Sequence, residues 1–274
     1  MGSCKVLFLG EIVGKAGVFC VKSLLPQIRQ EHGIDFVVAD GEGATGGFGI
    51  GRSHSIYLHK LGIDCITSGE CIYYKKDMVG HIVTAPYILR PANYPQSNPG
   101  RGWMIYEKND KKLAVISLLG QSGFPRVHLK NPISLLPKLI ERIAAETRMI
   151  LVDFHAVATA EKYCLFYAAD GTVSAVIGTH TKAATADETV LPGGTAVIAD
   201  AGRTGSSRSV GGLLPEVEIR KFVTQIHEYS QEVWDGLELQ GVIVEIGEDG
   251  KALGIRRIRV PCTATPEGAP DSDG

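Results

Sequence analysis

Ala175-Val176-Ile177-Gly178-Thr179-His180-Thr181-Lys182-Ala183 has the form of a buried strand that opens into a polar turn. Ala175, Val176 and Ile177 make a short apolar run, and Gly178 ends it. Thr179, His180, Thr181 and Lys182 then lie at the C-terminal mouth of the strand, where open α/β sheets bind ligands. An imidazole there can hold a metal or move a proton. Taken alone, His180 reads more simply as a hydrogen-bonded loop residue. A chemical role depends on matching groups from other strand ends.

Such groups recur along the chain. Residues 5–9 read as a first buried strand and run into Gly10-Glu11. Gly10 to Lys15 is not a phosphate-binding P-loop: its glycines are too close together, and Ala16 follows Lys15 where Ser or Thr is required. A second strand, 35–39, leads into Asp40-Gly41-Glu42-Gly43-Ala44-Thr45-Gly46. Gly41, Gly43 and Gly46 fit a G-x-G-x-x-G spacing, which gives a dinucleotide-dependent redox reading. Against it, the glycines run on too long for a prompt helix start, and Glu42 sets a carboxylate against the pyrophosphate. A plain Gly-rich loop would leave Glu42 solvated. Strand 65–68 ends in Gly69-Glu70-Cys71, and strand 149–152 ends in Asp153-Phe154-His155.

The rest of the chain reads as the frame. Helices are expected at 18–32, with a kink or boundary at Pro26, and at 53–60, with Ser53 as N-cap. Further helices are expected at 73–77, after Asn131-Pro132, at 156–162 and at 215–229. Residues 102–106 and 112–118 form a hairpin, as do 239–246 and 252–260. Residues 195–199 form a strand that ends at Asp200. The segment 89–95 reads as an ordered loop whose Arg90 and Asn93 either face a ligand or, more simply, lie at the surface. A single domain is expected over 1–262, followed by a disordered tail at 263–274.

Composition narrows the function. The chain has 274 residues, 44% of them hydrophobic, and a net charge of -2, so no basic excess points to DNA or to an acidic membrane surface. Its 6 cysteines include no C-x-x-C pair, which argues against a thiolate zinc site and for reduced thiols in the cytoplasm. The strand ends together supply Glu11, Glu42, Glu70, His155 and His180. Two imidazoles among carboxylates suit a divalent transition ion such as Mn²⁺, Fe²⁺ or Zn²⁺. Such an ion can polarise a phosphoryl oxygen.

In motif order the chain resembles the YmdB-like branch of the calcineurin-type metallophosphoesterases. The resemblance lies in Leu7-Phe8-Leu9-Gly10-Glu11-Ile12-Val13-Gly14, Asp40-Gly41-Glu42, Ile66-Thr67-Ser68-Gly69 and Arg90-Pro91-Ala92-Asn93-Tyr94-Pro95. It continues in Asp153-Phe154-His155-Ala156, Ala158-Thr159-Ala160-Glu161-Lys162, Gly178-Thr179-His180-Thr181 and from Leu191-Pro192 to Gly205. It implies a four-layer α/β/β/α sandwich with two central mixed sheets, a two-metal centre, and hydrolysis of phosphodiesters, cyclic nucleotides among them. It also implies a homo-oligomer, with a nucleotide or phosphodiester small molecule as partner.

Several positions depart from that pattern. The family has Asp at Glu11, Asn at Gly43, Asn-His at Glu70-Cys71, Glu at Val157 and His at Lys182. The resemblance therefore implies one firmly held metal at Glu42, Glu70, His155 and His180. The second site, at Glu11, Glu42 and the positions of Gly43 and Lys182, is expected to be weakened or lost. Cys71 and Lys182 replace family histidines and are the candidate catalytic positions. The alternative is a catalytically silent member that binds a nucleotide or a protein partner as a regulator.

Overall fold

The computed structural model describes residues 3–124, 127 and 129–264, so the tail expected at 263–274 lies outside the described residues from 265 onward. In chain order the first elements are β1 (Cys4–Leu9), β2 (Glu11–Ile12), α1 (Gly14–His32), β3 (Phe36–Asp40), α2 (Arg52–Lys60), β4 (Cys65–Thr67) and α3 (Lys76–Thr84). Next come β5 (Trp103–Lys108), β6 (Lys111–Leu119), α4 (Pro132–Ile143), β7 (Ile150–His155), α5 (Thr159–Ala169) and β8 (Ala175–Thr179). The last are β9 (Thr189–Val190), β10 (Ala196–Ile198), β11 (Arg203–Ser206), α6 (Pro215–Thr224), β12 (Leu237–Ile246) and β13 (Ala252–Pro261).

These strands form two mixed sheets. The seven-stranded sheet runs β2-β11-β12-β1-β3-β4, with β13 on the free edge of β12. Here β1, β3 and β4 are parallel, while β12 is antiparallel to β1. The six-stranded sheet runs β5-β6-β7-β8-β10-β9; its four inner strands are parallel and both edge strands antiparallel. Parallel neighbours need crossovers, which α1, α2, α4 and α5 supply.

Side-chain alternation sorts the apolar residues into layers. Leu7, Leu9, Val37 and Ala39 face α1, α2 and α3. Val6, Phe8, Phe36 and Val38 instead meet Val115, Leu151, Ala175 and Ile177 of the other sheet. Ala114, Ile150, Val152 and Val176 face α4 and α5. The result is the expected α/β/β/α sandwich. No helix among the described residues is long and apolar enough to cross a membrane.

Several expected boundaries move. Helix α1 starts at Gly14 instead of residue 18, because Gly17 lets it approach β11: a Cβ there would lie 2.4 Å from Thr204 O. Helix α2 starts at Arg52 and is capped by Asp77, whose Oδ2 accepts Arg52 N–H at 3.0 Å; Ser53 is inside it. Residues 73–75 are in turns and the helix there is α3. Helix α5 starts at Thr159 and runs on to Ala169. Helix α6 stops where Gln225 turns left-handed at φ 58, short of residue 229. Arg90 and Asn93 are buried and tie loops together: Asn93 Nδ2 donates to Leu119 O at 2.7 Å, and Arg90 Nη1 to Pro91 O at 2.9 Å.

Candidate metal centre

The inter-sheet layer turns polar at the C-terminal ends of the parallel strands. The same alternation that buries Phe36 and Val38 places Asp40 next on that face of β3. On β7 the series is Leu151, Asp153, His155; on β8 it is Ala175, Ile177, Thr179. The turns just beyond the strands add Glu42, Glu70, Cys71, His180 and Lys182. Ligand atoms of Glu70, His155 and His180 lie within 4.8 Å of one another, as do those of Glu42, Glu70 and Cys71.

His155 is held by both ring nitrogens. Its Nδ1 lies 3.0 Å from Thr179 Oγ1 and 3.3 Å from Asp40 Oδ2. Thr179 Oγ1 donates its own proton to Asp153 Oδ1 at 2.8 Å, so it accepts from Nδ1–H. Nε2 faces Glu70 Oε2 at 3.2 Å and His180 Nδ1 at 3.0 Å; burial disfavours a charged ring, but the Asp40 and Glu70 carboxylates outweigh it and raise His155 well above the ordinary imidazole value. A carboxylate behind a histidine in this way is the usual support of a metal ligand. Asp40 also accepts Glu42 N–H at 2.9 Å, and the Glu42 carboxylate accepts Cys71 N–H. Phe124 packs edge-on against His180, with ring centroids 5.2 Å apart.

Burial sets the charges. It pushes the carboxyl of Glu42 up to about 8 and those of Glu11 and Asp153 up to about 7, with Asp40 adding repulsion to each. Glu70 is also desolvated, but its contact with His155 outweighs that and holds it down at about 2. Burial and the neighbouring His155 lower His180 to about 4, so its ring is neutral and free to act as a ligand. Burial, with Glu42 and Glu70 beside it, pushes the Cys71 thiol upward; it is held as a thiol and not a thiolate.

The residues fit a divalent ion. Glu11 Oε2, Glu42 Oε2 and Asp153 Oδ2 are buried without a hydrogen-bond partner, and Asp40 Oδ2 and Glu70 Oε2 meet only the His155 ring, at 3.3 and 3.2 Å. Folded proteins leave few such atoms, and their concentration beside two imidazoles is what a cation would satisfy. At the other end of the cluster, Lys182 Nζ pairs with Glu11 Oε1 at 2.9 Å.

The turn that presents His180 and Lys182 is under strain, with φ of 101° and 60° at those residues. A buried ion pair secures it: Lys162 Nζ lies 3.3 Å from Asp200 Oδ2, which also accepts Thr181 N–H at 2.9 Å and Thr181 Oγ1 at 2.7 Å.

The sequence profile of a family described as YmdB-like protein matches residues 7–258. The chain belongs to the YmdB-like family. It is 37% identical over 257 residues to a 2',3'-cyclic-nucleotide 2'-phosphodiesterase of Bacillus subtilis (strain 168), covering 93% of this chain and 97% of that protein. A crystal structure described as a novel phosphatase from Mycoplasma pneumoniae superposes with a TM-score of 0.88 at 32% identity, covering 95% of this chain and 94% of that one. A putative 5'-nucleotidase from Staphylococcus aureus shares the fold alone, with a TM-score of 0.60 at 14% identity over 98% of this chain and 56% of that one. The architecture is thus that of the calcineurin-like phosphoesterases and 5'-nucleotidases.

In this YmdB-like chain the structure brings together all of Glu11, Glu42, Glu70, His155 and His180, with Cys71 and Lys182 at their edge. The glycine-rich segment 41–46 opens no helix, and Glu42 within it is 3% exposed, not solvated. Asp40, Asp153, Thr179 and the Lys162–Asp200 pair belong to the centre as well and were not among the sequence candidates. Asp40 and Asp153 each carried a readable signal: a carboxylate two residues beyond a buried apolar residue on the same strand face.

Proposed function

We propose that this chain is a metal-dependent phosphodiesterase acting on cyclic nucleotides or similar diesters. Glu42, Glu70, His155 and His180 would hold a divalent transition ion: Mn, Fe or Zn. The observation that carries the reading is the set of buried carboxylate oxygens without donors gathered around two imidazoles. The B. subtilis relative supports the substrate class. When bound, the ion polarises a phosphoryl oxygen and acidifies water. Asp40 and Thr179 orient His155, Cys71 N–H orients Glu42, and the Phe124 ring packs against both imidazoles. Lys182 brings positive charge to the substrate side. The unpaired cysteines fit a reducing cytoplasm.

The test is metal content per chain by elemental analysis, on the preparation assayed for hydrolysis of 2',3'-cyclic nucleotides with added Mn²⁺ or Fe²⁺. Bound metal is expected, with turnover that falls at least about a hundredfold in His155→Ala and His180→Ala. Bound metal without turnover on any diester would favour a silent, ligand-binding member. Absence of metal under replete conditions would sink the reading.

A further inference from the structure

We propose that the Lys182 ammonium is the resident second cation of this centre: it closes the Glu11 end of the acidic cluster and limits the chain to a single divalent ion. This rests on the metal-dependent reading above and deepens it, by fixing the ion count and by giving Lys182 the second positive charge. Lys182 Nζ sits 2.9 Å from Glu11 Oε1; Glu11 is only 2% exposed and the Lys182 side chain 18%, so the pair is largely withdrawn from solvent. The ammonium is anchored from its own backbone. Lys182 stands at φ 60°, and its carbonyl accepts Arg203 Nη1 at 2.8 Å. The Phe48 ring lies 5.8 Å from the same nitrogen, within cation–π range.

Space beside the same Glu11 oxygen is also closed on the side of Gly43. A Cβ on Gly43 would lie 2.7 Å from Glu11 Oε1 and 3.0 Å from Ile12 O. A ligand side chain at position 43 therefore does not fit while Glu11 keeps its place. Glu11, Gly43 and Lys182 are a matched set: a long carboxylate, no side chain, and a fixed cation. A divalent ion set beside Glu11 would lose Oε1 to the lysine and meet the ammonium at close range, where like charges repel strongly. The ammonium instead offers a point charge to the anionic oxygens of a phosphodiester, a task for which lysine is suited.

The test counts Mn²⁺ on the full chain, stripped with chelator and reloaded, by equilibrium dialysis, alongside Lys182→Met and Lys182→Arg. Wild type should saturate at a single ion per chain. Lys182→Met should bind its first ion at least about tenfold tighter, because a neighbouring positive charge is gone. Lys182→Arg keeps the charge and should stay close to wild type. Two ions per wild-type chain, or a Lys182→Met affinity equal to wild type, overturns the proposal and leaves the metal-dependent reading standing. No ion bound to wild type overturns that reading itself. The wild-type count decides even where a variant does not fold.

Discussion

Asp40 shows how much a single side chain does here. It is fully buried, it receives Glu42 N–H, and it backs His155 at 3.3 Å. Asp40→Asn should keep the fold and weaken Mn²⁺ binding about 10- to 100-fold, measured by dialysis or calorimetry. The carboxyls predict a pH effect as well. Glu42 has an ordinary value of 4.5 and is raised to about 8 in the folded chain. Folding therefore favours its protonated form. That contribution is fully present below about 4.5 and is lost as pH rises through about 8. Glu11 and Asp153, each raised to about 7, act in the same sense, while the depressed Glu70 matters only on the acid side. His180, lowered to about 4, acts in the opposite sense up to its ordinary 6.5, so in chelator-treated protein the Tm should fall most clearly between about pH 6.5 and about pH 8. Glu42→Gln should flatten that fall; an unchanged profile would show that Glu42 is ionised throughout. At this scale the sequence was most informative where a charged residue follows a glycine, as in Gly10-Glu11, Gly41-Glu42 and Gly69-Glu70. Asp40 and Asp153 stayed hidden because each follows an apolar run that looks like plain core.

Among the elements, the turn after β8 depends most on distant support. Two left-handed residues carry the imidazole and the ammonium, and the Lys162–Asp200 pair holds Thr181 between them. Lys162→Met leaves Asp200 buried without its partner, a change expected to lower stability by about 3–5 kcal/mol. It should weaken Mn²⁺ binding too, which a merely stabilising pair would not do. Asn131→Ala is the contrasting case. Asn131 Oδ1 caps α4 by accepting Ser134 N–H at 3.1 Å, so its loss should cost about 1 kcal/mol in urea unfolding and leave Mn²⁺ affinity unchanged. That cap was readable, because Asn followed by Pro is a local signal. The end of α6 was not: Gln225 takes the left-handed cap that glycine usually fills, and no neighbouring residue marks it. The start of α1 was obscured in the same way, since Gly14 and Gly17 weaken the helical signal while their reasons are tertiary: Gly17 approaches β11, and Gly14, at φ 61°, lies against the Glu232 side chain.

In the whole molecule, the two sheets meet through Phe8, Phe36 and Val38 on one side and Leu151, Ala175 and Ile177 on the other. Alternation predicted strands, yet which strands share a sheet was beyond its reach, since β12 joins β1 from the far end of the chain. Glu42 and Glu70 follow strands of the first sheet, whereas His155 and His180 belong to the second. A bound ion would thus be gripped from both sheets, and it becomes a caliper on their spacing. Phe36→Ala, in the layer between the sheets, and Phe166→Ala, in the layer under α5, should each cost about 3–5 kcal/mol. Only Phe36→Ala should change the ratio of Zn²⁺ to Mn²⁺ affinity, because the two ions differ in preferred ligand distance and number. Equal ratios in both variants would mean that each jaw is set by its own turns. A shifted ratio would make ion choice a property tuned from the hydrophobic interior, far from any ligand.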